Sequence, residues 1–581
     1  MRNKIAIRFC ILILGIVFIG GIVYCYDIRR MMSRTSNFVQ AEEKYMNESE
    51  FELALWNITE ITSEQNGDIL IKWWYCQNED KYYFFIPEKL LQKGMHWMFP
   101  DTERVWIDGE WIENGSLCDL KEGCYQVSIE LPEEKKNCNM EIRYSSPIGT
   151  LFLETQSGSM DYLHESKDNY ESGSYTLLAE NGNVYYSGGI ENIHCRGNAS
   201  WEDTSKKSYQ IKLIEKKDFF HMGEDKQWLL LANAFDNTLL RNTLAFDMAK
   251  EFGLTFTPDA KYVDVYANGE YIGNYLLTEK IEIDENRVNI NNLEKEMELL
   301  NSNQELSECE FFMEQQGRLF STKGYRIEQQ PEDITGGYLL EIEMSDRYGL
   351  EASGFITSRM QPVVFSSPKY ASYEQVSYIA NRYQDFEDAV FSEDGYNPYT
   401  GVYFTEYIDM DSFARKYLLE ELTKNLDAAF TSQYFYKPVD SVSTKFFAGP
   451  AWDYDKAIAA SGITENGIDL HDPNGLYAAT QTKDSDIWYG LYQQDEFREY
   501  VIKIYKEELE VKVRLIAKDR VAAYADMVMD SAMNNAIRWQ VFSEASTIEE
   551  KMVMYKEKVA ELSVFLNNRL DFLNQEWSVQ K

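Results

Sequence analysis

The order of secondary-structure signals along the chain restricts its fold more than any other feature of the sequence. Short alternating apolar runs, separated by turn residues, fill residues 52–285, and one helical pattern interrupts them. Residues 290–330 and 460–485 look like loops or insertions, and from about residue 330 most of the periodicity is helical. Strands followed by helices predict an α+β chain in which the two kinds of element form separate lobes.

The strand-rich part divides near residue 150. Residues 52–150 contain short strand-like runs and the dipeptide Asp108-Gly109, which is typical of a hairpin turn. They predict a small all-β accessory domain that resembles a sandwich. Residues 151–285 contain a second set of strands, with a similar turn signal at Asn268-Gly269. We therefore expect two strand-rich units before the helical part.

A single amphipathic pattern lies inside the second strand block. Leu240, Leu244 and Met248 recur at spacings of four residues, which puts them on one face of a helix. Asp236 is suited to cap its first turn, and Gly253 is suited to end it. The sequence thus predicts one helix among the strands of this block.

Residues 1–30 have the features of a membrane anchor. The uncharged, mostly apolar run from Phe9 to Tyr26 is bordered by basic residues and is just long enough to span a bilayer. It offers no small-residue cleavage site of the kind that ends a signal peptide. We expect residues 1–30 to form a single transmembrane helix, residues 31–51 to form a stalk, and the main domain to lie outside the cytoplasm.

The net charge excludes one class of partner. The chain has 96 acidic and 57 basic side chains, which gives a formal net charge of −39. This charge repels the phosphate backbone of nucleic acids, to which proteins bind mainly through Lys and Arg. We therefore expect no nucleic-acid partner.

The segment "GPAWDYDKA" carries two aspartates two residues apart, Asp453 and Asp455. On an extended segment such residues point to the same face. Two carboxylates at about 4 Å repel by about 1 kcal/mol in water and about 4 kcal/mol in a protein-like medium. The pair predicts a bound cation if it is buried, and an ordinary polar turn if it is solvated.

The requirements of phosphoryl transfer give this pair a context. A strand-rich lobe followed by a helical lobe is the outline of a protein-kinase-like fold, and kinases place a catalytic aspartate five residues before a metal-binding asparagine. Asp427 and Ser432 have that spacing in "KNLDAAFTSQYFYKP", where a helical pattern gives way to a hairpin. Asp453 follows that hairpin, in the place of the metal-binding aspartate of kinases.

Seven ordered blocks of the sequence resemble the CotH spore-coat kinase family of atypical protein kinases. The blocks are "RGNASW", "KKSYQIKL", "LLRNTLA", "VYANGEYIGNYLLTEKIEI", "GGYLLEIE", "KNLDAAFTSQYFYKP" and "GPAWDYD". The resemblance implies a two-lobed, atypical protein-kinase-like fold over residues 151–581, with a small lobe at 151–285 and a mostly helical large lobe at 330–581. It also implies ATP with Mg²⁺ or Mn²⁺, and transfer of phosphoryl to Ser or Thr of a protein substrate.

The same resemblance assigns roles on the acidic side of the site. By motif match, Asp427 is the catalytic aspartate and Asp453 is a metal ligand. Ser432 stands where many family members carry asparagine, and a hydroxyl is the weaker magnesium ligand of the two. Asp455 is either a second metal contact or a solvated turn residue.

The nucleotide-binding residues are less sharply assigned. Either Lys207 or Lys212 would hold phosphates, and because strand residues five apart face opposite ways, at most one of them enters the cleft. Arg196 either binds phosphate or braces its turn, and Glu279 either faces the nucleotide or pairs on the surface. Arg241 occupies the helix position where kinases present a glutamate to the strand lysine, so the usual Lys–Glu pair is not expected.

Three functions stay open at this stage. The first is a membrane-anchored, extracytoplasmic kinase that uses a metal-bound nucleotide, and the presence of mutually repelling carboxylates favours it. The second is a cell-surface structural or binding protein that keeps the fold without turnover, and the scarcity of ATP outside cells favours it. The third is the transfer of another part of the nucleotide, because Ser432 changes the metal site.

Overall fold

The computed structural model describes residues 55–58, 69–99, 104–130, 135–460, 462, 464–465, 467–478, 480 and 486–578. The predicted anchor and stalk lie outside these residues. Within the part that is described, no helix combines the length and the apolar character needed to cross a membrane. The membrane anchor and its orientation therefore stay predictions, as do the predicted domain boundaries.

Two antiparallel-rich sheets form the first described part of the chain. One has four strands in the order β2-β1-β5-β8, and the other has six in the order β3-β4-β10-β9-β6-β7. The rings of Phe84 and Trp97, one from each sheet, meet edge to face with centroids 6.3 Å apart. The elements are β1 (Leu55–Ile58), β2 (Ile69–Lys72), β3 (Trp74–Cys76), β4 (Lys81–Pro87), α1 (Glu88–Leu91), β5 (Met95–Met98), β6 (Arg104–Ile107), β7 (Glu110–Ile112), β8 (Leu117–Cys118), β9 (Gly123–Glu130) and β10 (Lys135–Ser145).

A closed seven-stranded barrel follows, in the order β11-β12-β13-β14-β15-β17-β16. A parallel pairing between β11 and β16 closes it, and its interior is filled by buried side chains such as Leu151, Ile211 and Trp228. The elements are β11 (Gly149–Thr155), α2 (Asp161–Glu165), β12 (Tyr170–Leu178), β13 (Val184–Arg196), α3 (Ala199–Glu202), β14 (Ser208–Asp218), β15 (Glu224–Leu231), α4 (Arg241–Glu251), β16 (Ala260–Ala267) and β17 (Glu270–Glu279).

The local predictions for this region are confirmed, with one refinement. Asn268 and Gly269 both have positive φ, 51° and 84°, and they join β16 to β17 in a tight turn. Helix α4 ends before Gly253, which has a φ of 81°. Asp236 is not at the N-cap position, but its carboxylate accepts a hydrogen bond of 2.8 Å from the Arg241 backbone N–H and so still satisfies a first-turn donor.

A second large sheet of seven strands lies in the region that the sequence indicated as loops and then helices. Its order is β18-β19-β21-β22-β20-β23-β24, so the first strand of the "KNLDAAF…GPAWDYD" hairpin pairs with β20 and the second pairs with the first. The strands are β18 (Glu310–Glu314), β19 (Ser321–Arg326), β20 (Tyr338–Ile342), β21 (Gly354–Ile356), β22 (Pro362–Ser367), β23 (Gln433–Lys437) and β24 (Phe447–Ala448), with a separate small pair, β25 (Thr464–Glu465) and β26 (Ile468–Asp469).

Helices pack on this sheet and on the barrel. One hydrophobic core joins Leu244 of α4, Leu340 of β20, Phe413 of α7 and Leu562 of α12, so that the two halves of the molecule share buried contacts. The remaining helices are α5 (Leu293–Leu300), α6 (Tyr373–Val390), α7 (Met410–Thr423), α8 (Ile487–Gln493), α9 (Asp495–Ile504), α10 (Glu510–Leu515), α11 (Val521–Arg538) and α12 (Ile548–Glu576).

Candidate active site

A cavity of about 520 Å³ lies between the barrel and the second sheet. The barrel contributes the ends of β13 and β15 and the start of β14. The other half contributes β20, the segment 426–432 and the segment 452–456. The charged side chains that line it are Arg196, Glu341, Glu343, Arg347, Glu351, Asp427, Asp453, Asp455 and Lys456. The structure therefore gathers Asp427, Ser432, Asp453, Asp455 and Arg196, all singled out from the sequence, around one space.

Asp427 reaches the cavity because helix α7 ends abruptly. Lys424 follows that helix in a left-handed conformation, with a φ of 45°, and reverses the chain. Asn425 then caps a short 3₁₀ turn, and its side-chain oxygen accepts a hydrogen bond of 3.4 Å from the Asp427 N–H. The Lys424 ammonium donates to the carbonyls of Asp472 and Asn474, at 2.6 and 2.9 Å, and so ties this turn to the chain beyond the hairpin.

Ser432 and Asp453 both have left-handed backbone conformations, with φ of 58° and 64°. Such angles are uncommon outside glycine and cluster at functional sites, where surrounding contacts hold the strain. The Ser432 side chain lowers the pKa of the Asp453 carboxyl, against the larger effect of burial. Asp453 and Asp455 therefore reach the cavity from an irregular segment with a left-handed residue. They do not lie on the extended segment that their spacing suggested.

Tyr454, the residue between the two aspartates, is fixed by buried polar contacts. Its N–H donates to the side-chain oxygen of Asn242 on α4, at 2.7 Å. Its hydroxyl donates to Glu420 on α7, at 2.6 Å, and accepts a hydrogen bond of 2.8 Å from Lys416. Asn242 is itself held by a hydrogen bond of 3.0 Å to Asn233. Two helices thus determine where Asp453 and Asp455 stand.

Burial and mutual repulsion disfavour the ionised forms of Asp427, Asp453 and Asp455 when no counterion is bound. Burial first, and then repulsion from Asp453 and Asp455, raises the pKa of Asp427 well above its usual value. Burial also raises the pKa of Asp453, and burial together with Asp453 raises the pKa of Asp455 to about 8. Desolvation and like charges disfavour ionised carboxyls in this way, and a nearby cation reverses the effect.

Arg196 is one cation that faces this cluster. Its guanidinium lies over the ring of Trp452, with 5.5 Å between the guanidinium carbon and the ring centroid. Burial lowers the pKa of Arg196, and the negative charge of Asp453 opposes that shift. The arrangement holds a planar cation beside the acidic side of the cavity, where it is suited to a phosphate or a carboxylate.

Two further carboxyls, Glu341 on β20 and Glu343 directly after it, were not predicted from the sequence. Burial and the neighbouring Glu343 raise the pKa of Glu341 to about 8, and Glu343 accepts a hydrogen bond of 2.9 Å from the Thr431 hydroxyl. Their alternation in "LLEIE" puts both on the face of the strand that meets the cavity. The alternating glutamates are visible in the sequence. They point to the site only once β20 is known to pair with β23, the strand that follows Asp427 and Ser432.

The structure does not bring Lys207 and Glu279 to this cavity. The Lys207 ammonium donates to the carbonyls of Trp201 and Thr204, both at 2.6 Å. Glu279 pairs with Arg287 at 2.7 Å and lines a different cavity, of about 280 Å³. These contacts give no support to the nucleotide-binding roles predicted for the two residues.

Lys212 lines a second cavity of about 540 Å³, which adjoins the first because Arg196, Glu351, Tyr434 and Trp452 line both. Its ammonium lies 2.6 Å from Glu191. Apolar side chains, Leu229, Ile281 and Phe365, and the segment 280–284 after β17 also line this space. The prediction that at most one of the two lysines enters the cleft therefore agrees with their positions.

The residues present fit a divalent metal that arrives with a nucleotide. In the described part of the chain, no three His, Cys, Asp or Glu side chains are arranged to hold a metal ion by themselves. Asp453, Asp455 and the Ser432 hydroxyl supply hard oxygen donors on one side of the cavity. Mg²⁺ commonly takes one or two carboxylates from the protein and its other ligands from substrate phosphates and water.

Comparison with known proteins identifies a family for most of the chain. The family model described as CotH kinase protein matches residues 193–573, a range that includes β14, α4, the 427–432 segment and the aspartate pair. A search of curated proteins finds no match to the chain. Since the matched residues make up more than half of its length, the chain belongs to the CotH kinase family.

Proposed function

We propose that this protein transfers the γ-phosphoryl group of ATP, bound with Mg²⁺ or Mn²⁺, to a Ser or Thr hydroxyl of an extracytoplasmic or cell-surface protein. The observation that carries the proposal is the joint placement of Asp427, Ser432, Asp453 and Asp455 around one cavity that opens into a second. Membership of a kinase family supports the reaction class. The proposed location outside the cytoplasm depends on the predicted membrane anchor at residues 1–30.

The two cavities suit the two parts of a nucleotide. The one of about 540 Å³ is lined mostly by charged side chains, but it also contains Leu229, Ile281 and Phe365 and the segment 280–284, and these suit a flat base that stacks and hydrogen-bonds. The one of about 520 Å³ contains the acidic cluster and Arg196, which suits phosphates with a divalent ion. Arg196 and Trp452 stand at the border between them.

In the proposed reaction, the oxygen of the acceptor hydroxyl forms a bond to the γ-phosphorus, and the bond from that phosphorus to the bridging oxygen breaks. ADP leaves with the electron pair of the broken bond. The proton of the hydroxyl passes to the Asp427 carboxylate, which the nearby metal cation would keep ionised and therefore able to accept it. A metal bound by Asp453, Asp455 and Ser432 would supply charge neutralisation on the phosphate oxygens.

The test uses the full chain and two radioactive forms of ATP, labelled at the α or the γ position, with MgCl₂ or MnCl₂. Casein and the protein itself serve as acceptors. Transfer of the γ label alone, together with nucleotide binding by calorimetry, supports the proposal. Transfer of the α label would instead establish transfer of a nucleotidyl group. Metal-independent binding, or no binding, with no transfer of either label would favour a surface protein that keeps the fold without turnover.

A further inference from the structure

The lysine directly after the aspartate pair occupies a position that the sequence analysis did not consider. Lys456 lines the same cavity as Asp427, Asp453 and Asp455. It is one of three cations in that lining. Arg196 is stacked on Trp452, and Arg347 follows β20 and acts electrostatically on Glu343. Lys456 is thus the cation nearest in sequence to the aspartate pair in the lining of this cavity.

The Lys456 ammonium is held by an aromatic ring and not by an acceptor. Its nitrogen lies 4.0 Å from the centroid of the Phe235 ring, which also lines the cavity. Among the described residues, no carboxylate oxygen comes within 4.0 Å of this nitrogen and no group accepts a hydrogen bond from it. An ammonium has three donors, so Lys456 offers three hydrogen bonds to whatever enters the space.

The electrostatic surroundings point the same way. The positive charge of Lys456 lowers the pKa of Asp427, of Asp453 and of Asp455 against the dominant effect of burial, so its charge acts on all three carboxyls. A phosphoryl group that passes from ATP, with its metal held at Asp453, to an acceptor hydroxyl held at Asp427 would cross the region that this cation faces. The position therefore matches negative charge that moves between the two aspartates.

The lysines of the "KKSYQIKL" block do not compete for that position. Lys206 is buried and donates to the carbonyl of Ala232 at 2.8 Å and to that of Asn274. Lys207 donates to two other carbonyls, and Lys212 stands in the adjoining cavity beside Glu191. The cation that kinases bring to the phosphates from a strand of the small lobe is therefore not supplied from this strand to the acidic cavity.

We propose that Lys456 binds the γ-phosphoryl group and stabilises its charge during transfer, in the place of a strand lysine. The inference rests on the proposed function and names a further catalytic residue for it. Lys456 takes no part in the proton transfer, because Asp427 takes the proton of the acceptor hydroxyl. The bonds formed and broken are those already given.

The experiment compares the binding of ATP and ADP, each with MgCl₂, by calorimetry. The parent protein is expected to bind ATP at least about tenfold more tightly than ADP, since a hydrogen bond to a charged group commonly contributes that much. Lys456→Met should bring that ratio close to one and lower the rate of γ-phosphoryl transfer. Lys456→Arg should restore much of both, and Lys503→Met, at an exposed lysine on α9, should match the parent.

Melting temperatures of all variants accompany the titrations, and Lys456→Gln replaces Lys456→Met if the latter does not fold. A parent-like ATP-to-ADP ratio and transfer rate in the charge-removing variant would overturn the inference and leave the proposed function standing. A parent protein that binds neither nucleotide with MgCl₂ would overturn both. Loss of ADP and ATP binding in equal measure would show that Lys456 supports the fold of the cavity and would also overturn the assignment.

Discussion

The two sides of the acidic cavity are built by different means. On one side, Asp427, Ser432 and Asp453 stand on irregular backbone that buried hydrogen bonds from α4 and α7 hold in place. On the other side, the barrel presents regular strands, and their lysines are occupied with carbonyls or stand in the adjoining cavity. The chemistry is concentrated on the irregular side, while the barrel contributes mainly shape and Arg196.

Removal of the Asp427 carboxylate is the strongest test of whether the irregular side of the cavity carries the catalytic group. We expect Asp427→Asn to lower the rate of γ-phosphoryl transfer by about 10²- to 10⁴-fold, because an amide cannot accept the proton of the acceptor hydroxyl. Nucleotide affinity should change little, since the role of Asp427 is felt in the transition state. A transfer assay and calorimetry on the same samples measure both quantities. An equal fall in affinity and rate would contradict a role confined to the transfer step.

The metal ligand comes next in expected effect. Asp453→Asn should weaken Mg²⁺-dependent ATP binding by at least about tenfold, since even residues that merely support a metal ligand commonly contribute that much. Binding measured in EDTA should hardly change. The matched change Asp411→Asn, at an aspartate on α7 that pairs with Arg415, should leave Mg²⁺ dependence as in the parent. Equal losses with and without metal would argue that Asp453 supports the backbone only.

The two sides of the cavity also differ in how well their residues could be predicted from the sequence. Asp427 and Ser432 fall within one short segment and Asp453 and Asp455 within another, and the resemblance to a kinase family relates the two segments to each other. The position of each lysine depends on the register between β14 and its neighbours, and Lys207 precedes that strand by one residue. Spacing along a strand therefore says which lysines face apart, but not which of them are already bound to carbonyls.

The larger architecture was less accessible for the same reason. A mixed α+β fold with a strand-rich first part follows from local periodicity, and so do the turns at Asp108-Gly109 and Asn268-Gly269. The closure of the barrel by β11 and β16, and the second seven-stranded sheet, depend on pairings between distant segments. The sequence indicated residues 290–330 as loops or insertions, and local periodicity did not reveal that they contain α5, β18 and β19.

A pH titration tests the electrostatics of the irregular side. The pKa of Asp455 is about 8 in the folded protein, above its usual value of 3.8, because of burial and then Asp453. The folded state thus holds this proton more tightly than the unfolded state, so the stabilisation is present below about pH 4 and is lost as the pH rises towards 8. The melting temperature without nucleotide should fall over that range, and less steeply in Asp455→Asn.

Saturating ATP with MgCl₂ provides the control for that titration, because a bound divalent ion should suppress the fall by favouring the ionised carboxyls. An identical pH slope in the parent and in Asp455→Asn would contradict the raised pKa. An unchanged slope after addition of the metal and nucleotide would contradict a metal site at this pair.

A smaller effect is expected at the contact that holds the aspartate pair from behind. Asn242→Ala leaves the buried Tyr454 N–H without its acceptor, which should lower the free energy of unfolding by about 1–3 kcal/mol. It should also weaken Mg²⁺-ATP binding without changing the affinity for ATP in EDTA, because Asp453 and Asp455 lose their fixed positions. Urea denaturation and calorimetry measure the two effects, with the exposed Asn303→Ala as the control. A loss of stability with parent-like Mg²⁺ dependence would make Asn242 a structural residue only.

The smallest effect is expected on the regular side, at Lys207. Its ammonium is already engaged by the carbonyls of Trp201 and Thr204 and lies over the Trp201 ring, 4.7 Å from the centroid. Lys207→Met should therefore lower the free energy of unfolding by about 1–2 kcal/mol through the lost hydrogen bonds, and should leave the affinity for Mg²⁺-ATP within about twofold of the parent. Lys212→Met, in the adjoining cavity, should affect affinity more than stability, because its partner Glu191 is exposed. If Lys207→Met instead folds normally and loses ATP affinity, the strand lysine does bind phosphate, its carbonyl contacts must give way to the nucleotide, and the contrast between the two sides of the cavity disappears.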